Sequence, residues 1–339
     1  MKRLLIIGGS GYLGQHLLQS FSELSPHLST AFTHHSSSPP QSIPNAIIPF
    51  QLDLHTGQGF HSITNQFGQA GSFHYLISNA AAACYLLLYA NFLDPISDSV
   101  PDIVVNCAAL SVPRACETDP ALAMSVNVPS TLVKWLSSFT ECNTLLIHLS
   151  TDQGTKSFYK EDGETLPVNA YGKSKVAAEE YIFDNWSNFV ILRSSIIFGP
   201  QTISPVSKSL PIQWMDGVLA KGQEAEFFHD EFRCPVYVKD VVNIIRILTD
   251  RWISDGKKSQ LVLNVGGPNR LSRAEMAETV ARVRGYNTSL VKPVSASSID
   301  RGVKSPADIS MDISKLIQTL DFTPTSFEDG VKLTFGTNV

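Results

Sequence analysis

An apolar run, Leu4–Ile7, opens the chain and stops abruptly at glycines 8, 9, 11 and 14. Behind it Tyr12, Leu13, Leu17, Leu18 and Phe21 recur at helical spacing. The pattern predicts strand, tight turn, helix. Leu28–Thr33 reads as a second strand, and His34-His35-Ser36-Ser37-Ser38-Pro39-Pro40 as a loop. A third strand is expected over Ala46–Leu54 and a helix over Gly59–Phe67. Asp102–Ala109 has the unbroken apolar character of a buried parallel strand and ends in small residues. A turn at Pro113–Pro120 should lead into a helix over Pro120–Phe139 and a strand at Thr144–Leu149. A helix at Tyr171–Asp184 and a strand at Phe189–Arg193 follow. Strands alternating with helices indicate an α/β fold, a doubly wound parallel sheet of Rossmann type.

The rhythm changes after Gly199, where prolines, glycines and short segments run to Pro235. Helix returns at Lys239–Trp252, strand at Leu261–Val265 and helix at Ser272–Arg284. There Ser272 and Glu275 are spaced as a capping box. We expect a dinucleotide-binding unit of residues 1–198 with 236–265. A smaller interleaved substrate lobe should hold residues 199–235 with 266–339. Residues 70–100 do not fit this rhythm. Tyr75–Leu93 is nearly all apolar and long enough for a membrane span, but a span there would cut one sheet in two. Tyr75–Ala81 also reads like a second copy of the strand at Ile103–Ala109. The slot is expected to go to Ile103–Ala109, and the insertion to contribute nothing to a cofactor site.

The spacing Gly8, Gly11, Gly14 is a G-x-x-G-x-x-G variant of the dinucleotide fingerprint. The first glycine permits the turn, the second lets a pyrophosphate approach the backbone, and the third lets helix pack on strand. Free N–H groups at the helix start, around Tyr12 and Leu13, then face the phosphates. The end of the second strand, Thr33 and His34, has no acidic residue to hold ribose hydroxyls. That favours NADP(H), with NAD(H) as second choice. Asp53 and Leu54 end the third strand on the adenine side. Ala108 and Ala109 leave room for a cofactor across the fourth.

Tyr171 and Lys175 lie one helical turn apart, on one face. A neighbouring ammonium and the helix N-terminus should pull the tyrosine below its usual pKa of ~10. Ser150 and Thr151 end the strand beside that helix, where a hydroxyl can hold a carbonyl oxygen. His34 and His35 have no ligand partners nearby, so no metal is expected. His229-Asp230-Glu231 reads as a polar loop, Trp214 and Met215 as packing residues, and Arg233 and Arg301 as candidates for gripping an anionic substrate or partner.

The net charge of −5 gives no footprint for nucleic acid, and there is no basic run for a membrane surface. Five scattered cysteines suit a reducing compartment. With the first strand starting at Lys2 or Arg3, a cytoplasmic location is expected.

Together, Gly8–Gly14, Asn106–Ala109, Asn127, Ser150–Asp152, Tyr171–Lys175, and Arg193 through Gly199-Pro200 resemble the extended short-chain dehydrogenase/reductases. Asn106–Pro120 with Cys116-Glu117, Arg233–Asp240 and Arg301–Leu316 narrow the resemblance to the dTDP-4-dehydrorhamnose reductase branch. That branch includes the regulatory beta subunit of methionine adenosyltransferase. The resemblance implies that Tyr171 protonates a ketone as hydride arrives. It implies that Lys175 tunes Tyr171 and holds the nicotinamide ribose, and that Thr151, with Ser150 as second choice, orients the ketone. Asn127 joins the cofactor-binding set on the same ground. The substrate would be a small carbonyl compound such as a keto sugar nucleotide. The alternative is a regulatory subunit docked on the methionine adenosyltransferase catalytic subunit. The chain departs from the pattern after Asp152, where Gln153-Gly154-Thr155 replaces an aromatic-rich turn, and at residues 70–100.

Overall fold

A computed structural model describes residues 2–25, 27–36, 39–40, 47–65, 100–139, 142–154, 156–206 and 209–336. Its centre is a seven-stranded parallel sheet. In chain order the strands are β1 (Lys2–Ile7), β2 (Leu28–His34), β3 (Ile48–Gln51), β4 (Ile103–Asn106), β5 (Leu145–Thr151), β6 (Phe189–Ser194) and, much later, β11 (Gln260–Val265). In space the order is β11-β6-β5-β4-β1-β2-β3. The chain therefore reverses direction across the sheet between β1 and β4, and ligands of such sheets sit at the strand ends beside that point.

The apolar run of β1 is explained by burial on both faces. Leu4 and Ile6 pack with Leu17 of helix α1 (Tyr12–Leu24) and with Val241 and Ile245 of a long helix described below. Leu5 and Ile7 pack with Leu132, Leu136 and Ile182 on the other side. All four β1 side chains are fully buried.

Between β4 and β5 the expected turn and single helix are replaced by three short helices, α2 (Pro113–Thr118), α3 (Pro120–Asn127) and α4 (Ser130–Ser137). Proline is the reason. Pro113 and Pro120 each sit in a first helical turn, and Asp119 caps α3 by accepting from the Leu122 amide. Val128, ahead of Pro129, is forced extended at φ −79°, ψ 116°, which ends α3. Residues 60–65 are helical as expected. The slot beside β1 belongs to β4, in register Leu4 with Ile103 through Ile7 with Asn106. The competing Tyr75–Ala81, like the rest of the insertion up to residue 99, lies outside the described residues.

Helix α5 (Ala170–Asn185) joins β5 to β6, with Asn169 as its cap. Beyond β6 come the short strands β7 (Ile197–Phe198), β8 (Ala225–Phe228), β9 (Phe232–Arg233) and β10 (Val236–Tyr237), with helix α6 (Pro211–Leu219) among them. The long helix α7 (Val238–Asp255) returns the chain to the central sheet. Past β11 come β12 (Leu271–Ser272), helix α8 (Arg273–Arg284), β13 (Val291–Val294) and helices α9 (Ser314–Leu320) and α10 (Phe327–Phe335). The capping box at Ser272 and Glu275 is formed in full. A third core lies here, with Ile212, Met215, Leu219, Phe227, Met276, Val280, Phe327 and Val331 buried together. Met215 packs as expected, but Trp214 is 49% exposed, its ring set edge-to-face with Phe227. Among the described residues no helix is long and apolar enough to cross a membrane, and no cluster of three metal-binding side chains exists.

Candidate active site

The turn after β1 is built by what its glycines lack. Gly8 has φ +80°, and a Cβ there would lie 2.9 Å from Ala108 backbone atoms. A Cβ on Gly14 would run into the Gly8 carbonyl oxygen, so this glycine lets α1 dock on the turn. Gly11 differs: its Cβ would meet nothing but the Gly8 oxygen, at 3.2 Å. The crowding is thus internal at Gly8 and Gly14, while Gly11 faces open space at the start of α1. A pyrophosphate fits that arrangement, because the first amides of a helix have no internal acceptors. Thr33 braces the turn by accepting from the Gly8 amide through its hydroxyl and from the Gly9 amide through its carbonyl. Tyr12 and His16 reach forward to the Pro200 carbonyl, locking α1 to the segment after β7.

The other residues expected at the cofactor are placed as follows. His34 ends β2, its ring against Phe32. Asp53 is engaged with its own turn, accepting from the His55 amide and the Thr56 hydroxyl, contacts that hold its carboxyl below the usual range. Leu54 is buried, and its carbonyl accepts from Thr131. Ala108 and Ala109 lie past the end of β4, partly buried, and Ala108 donates its amide to Asn106. Asn127 is buried and fastens Leu110, through both its amide and its carbonyl, to the Ser174 hydroxyl of α5.

At the carboxyl end of β5, Thr151 donates to Asp152, and its hydroxyl is near enough to the Tyr171 phenol to pull that pKa down. The two hydroxyls expected to hold a carbonyl oxygen are therefore side by side. The expected lowering of the tyrosine pKa is not found. Burial pushes Tyr171 up to about 12, only partly opposed by the Thr151 hydroxyl. The reason lies in where Lys175 points. Its Nζ donates to the Leu149 carbonyl at 2.5 Å and lies 3.3 Å from His148 Nε2. Burial lowers the lysine to about 8. Shared helix face was legible from spacing, but the lysine head turns toward β5.

Two acidic groups shape the surroundings. Glu179 accepts from Arg193 through Nε and Nη2, the shortest contact 2.8 Å, with both side chains over nine-tenths buried. Gln153 joins this pair to Ser150. The short turn after Asp152 is filled by Tyr159, whose hydroxyl accepts from the Gln153 amide and whose ring leaves Gly154 no room for a side chain. Asp152 is partly buried, and desolvation raises its pKa against the pull of Arg233 and Arg273.

Arg233 is buried rather than superficial, donating to Phe232 and Pro306 carbonyls and the Ser305 hydroxyl. Arg301 pairs with Glu231, which is 2% exposed, so His229–Glu231 is not the plain polar loop the sequence suggests. Arg273, the first residue of α8, lies within electrostatic reach of both arginines. It makes no ion pair or hydrogen bond among the described residues. Burial and the charge of Arg233 lower it to about 10, opposed by Glu231 and Asp152. Arg273 was missed from the sequence because it joins Arg233 and Arg301 only through folding, and a lone arginine at a helix start is ordinary.

A family model for the RmlD substrate binding domain matches residues 1–338. Methionine adenosyltransferase 2 subunit beta of Pongo abelii is 28% identical over 243 residues, 70% of each chain. The probable low-salt glycan biosynthesis reductase Agl14 of Haloferax volcanii is 27% identical, over 67% of this chain and 75% of its own. Among solved structures, dTDP-4-dehydrorhamnose reductase from Bacillus anthracis in complex with NADP superposes with a TM-score of 0.71 over 100% of both chains, at 19% identity.

Proposed function

Because the chain belongs to the RmlD substrate binding domain family, we propose that it is a nicotinamide-dinucleotide reductase acting on a carbonyl group of an anionic small molecule, in the manner of a keto sugar nucleotide. The observation that carries this reading is the Thr151–Tyr171 hydroxyl pair with Lys175 behind it, at the end of the strands nearest the glycine turn. The bound cofactor would supply hydride. The chain's own residues do the rest. Gly8, Gly11, Gly14 and the amides of Tyr12 and Leu13 hold the pyrophosphate. Thr33 and His34 border the adenine ribose with Asp53 and Leu54, Ala108 and Ala109 line the path towards the site, and Asn127 fixes Leu110 behind them.

Thr151 orients the carbonyl oxygen and Tyr171 donates the proton to it. A tyrosine pushed up to about 12 is fully protonated at neutral pH, which is the form a donor needs in the reducing direction. Lys175 holds the nicotinamide ribose. Arg233, Arg273 and Arg301 face the anionic part of the substrate, and Arg273 has a free guanidinium for it. Replacing Arg273 by Gln is expected to raise KM for a nucleotide-sugar substrate about tenfold or more. The cofactor titration should not move. An unchanged KM removes Arg273 from the substrate site.

The absence of an acidic residue after Thr33 supports NADP(H) over NAD(H). Titration with both reduced cofactors, followed by nicotinamide fluorescence, should show tighter NADPH binding; tighter NADH binding overturns the preference. Gly11→Val should abolish binding of either, since its side chain fills the open space at the helix start.

A second reading is supported by the beta-subunit relatives: a regulatory subunit that retains the cofactor site and docks on a methionine adenosyltransferase catalytic subunit. One experiment separates the two. NADPH oxidation is followed with a panel of 4-keto sugar nucleotides, and the protein is tested in parallel for co-elution with methionine adenosyltransferase. Oxidation supports the reductase. Co-elution without oxidation supports the regulatory subunit. Neither result leaves both readings without a target.

A further inference from the structure

The neighbours of Lys175 form a hydrogen-bond chain with a direction. The Ala108 amide can only donate, and it donates to Asn106 Oδ1 at 3.3 Å. That fixes the Asn106 side chain so that its Nδ2 faces His148 Nδ1, 3.1 Å away. Nδ2 can only donate, so His148 Nδ1 must accept and carries no proton. A neutral imidazole then bears its proton on Nε2. His148 is fully buried, and burial holds its pKa far below the ordinary value, so it is neutral. Its Nε2–H points at Lys175 Nζ, 3.3 Å away. An ammonium has no lone pair to receive it; an amine does. The amine still has a hydrogen for the Leu149 carbonyl.

We propose that His148 is a positioning residue for Lys175 in its unprotonated state, donating its Nε2–H to the lysine amine within a one-way chain that begins at the Ala108 amide. Protonating Lys175 must then reverse the chain. The imidazole proton moves from Nε2 to Nδ1, Asn106 turns its oxygen toward His148, and the Ala108 amide loses its acceptor. Ala108 lies against Gly8, so the lysine's proton and the glycine turn are coupled through four residues. The other groups facing Lys175 are Glu179 on its own helix and Cys107 after β4, and both act to raise its pKa. They do not offset its burial, and its midpoint lies near 8.

The assignment of Lys175 to the ribose belongs to the reductase reading, but the chain is tested without cofactor or substrate. Protein labelled with 15N-histidine and 13C-lysine is titrated by NMR, with His148→Gln and Lys175→Met identifying the two sets of signals. Above the Lys175 midpoint, His148 is expected to show an unprotonated Nδ1 and a protonated Nε2. Below it the two should exchange, with the same midpoint as the lysine. In Lys175→Met the Nε2–H form should persist at every pH. An Nδ1–H form throughout overturns the proposal. So does a lysine titration without tautomer exchange, or an exchange that survives in Lys175→Met. A failure of cofactor binding would leave all these readouts standing.

Discussion

Tyr171→Phe is expected to lower turnover by about 10²–10⁴, the usual contribution of a positioned proton donor, while leaving cofactor affinity nearly intact. The substitution removes one oxygen and little else. The ring keeps its packing beside Cys116, Ala123 and Ala170, and Thr151 retains Asp152 as a partner. The fold should therefore survive, and a melting curve is the control. The cofactor titration should match wild type, because the proposed role of the phenol is at the carbonyl oxygen and not at the phosphates. Lys175→Ala is expected to harm both readouts. Full turnover in Tyr171→Phe, with a substrate that the wild type reduces, would remove Tyr171 from the proton-donating role.

Glu179→Ala should be the most destabilising single change in the site, by about 3–5 kcal/mol. It leaves the Arg193 guanidinium buried, retaining only the Glu161 carbonyl on Nη1. It also removes an acceptor from Gln153, whose remaining bond to Ser150 helps hold the end of β5. The double change Glu179→Leu, Arg193→Met should cost less than the single one, because the uncompensated charge goes with its partner. Chemical denaturation of the three variants measures this. A loss below about 1 kcal/mol in Glu179→Ala would mean that Arg193 finds solvent or another acceptor, against its burial.

The parts of the fold that sequence makes legible are those set by neighbours along the chain. The run Leu4–Ile7 ending at Gly8 specifies a strand buried on both faces and the turn that stops it. The spacing of Ser272 and Glu275 specifies the cap of α8. The breaks at Asp119-Pro120 and Val128-Pro129 were equally local: the apolar pattern ran across them, but proline geometry overrode it. The site was legible as residue types and not as electrostatics. Tyr171 and Lys175 share a helix face as their spacing requires, yet the lysine's partners, His148 and Leu149, come from a strand 26 or 27 positions earlier. Burial then moves tyrosine and lysine in opposite directions. Glu231, which reads as loop polarity, becomes a buried anion because Arg301 arrives 70 residues later.

The placement of β1 between β2 and β4 has a consequence for synthesis. β1 leaves the ribosome ahead of β2 and β4 and pairs with β2, whose register begins at Leu28. Its other edge belongs to β4, and the pair is closed by Lys2 and Asp102, 100 positions apart. At synthesis rates of about 5–20 residues per second, that edge of Leu4–Ile7 waits roughly 5–20 s for its partner. During the wait it presents unpaired backbone groups and aliphatic side chains, the combination that templates strand addition between chains. The yield of folded protein should therefore depend on how quickly β4 follows β1, and on chaperones that cover β1 until it does.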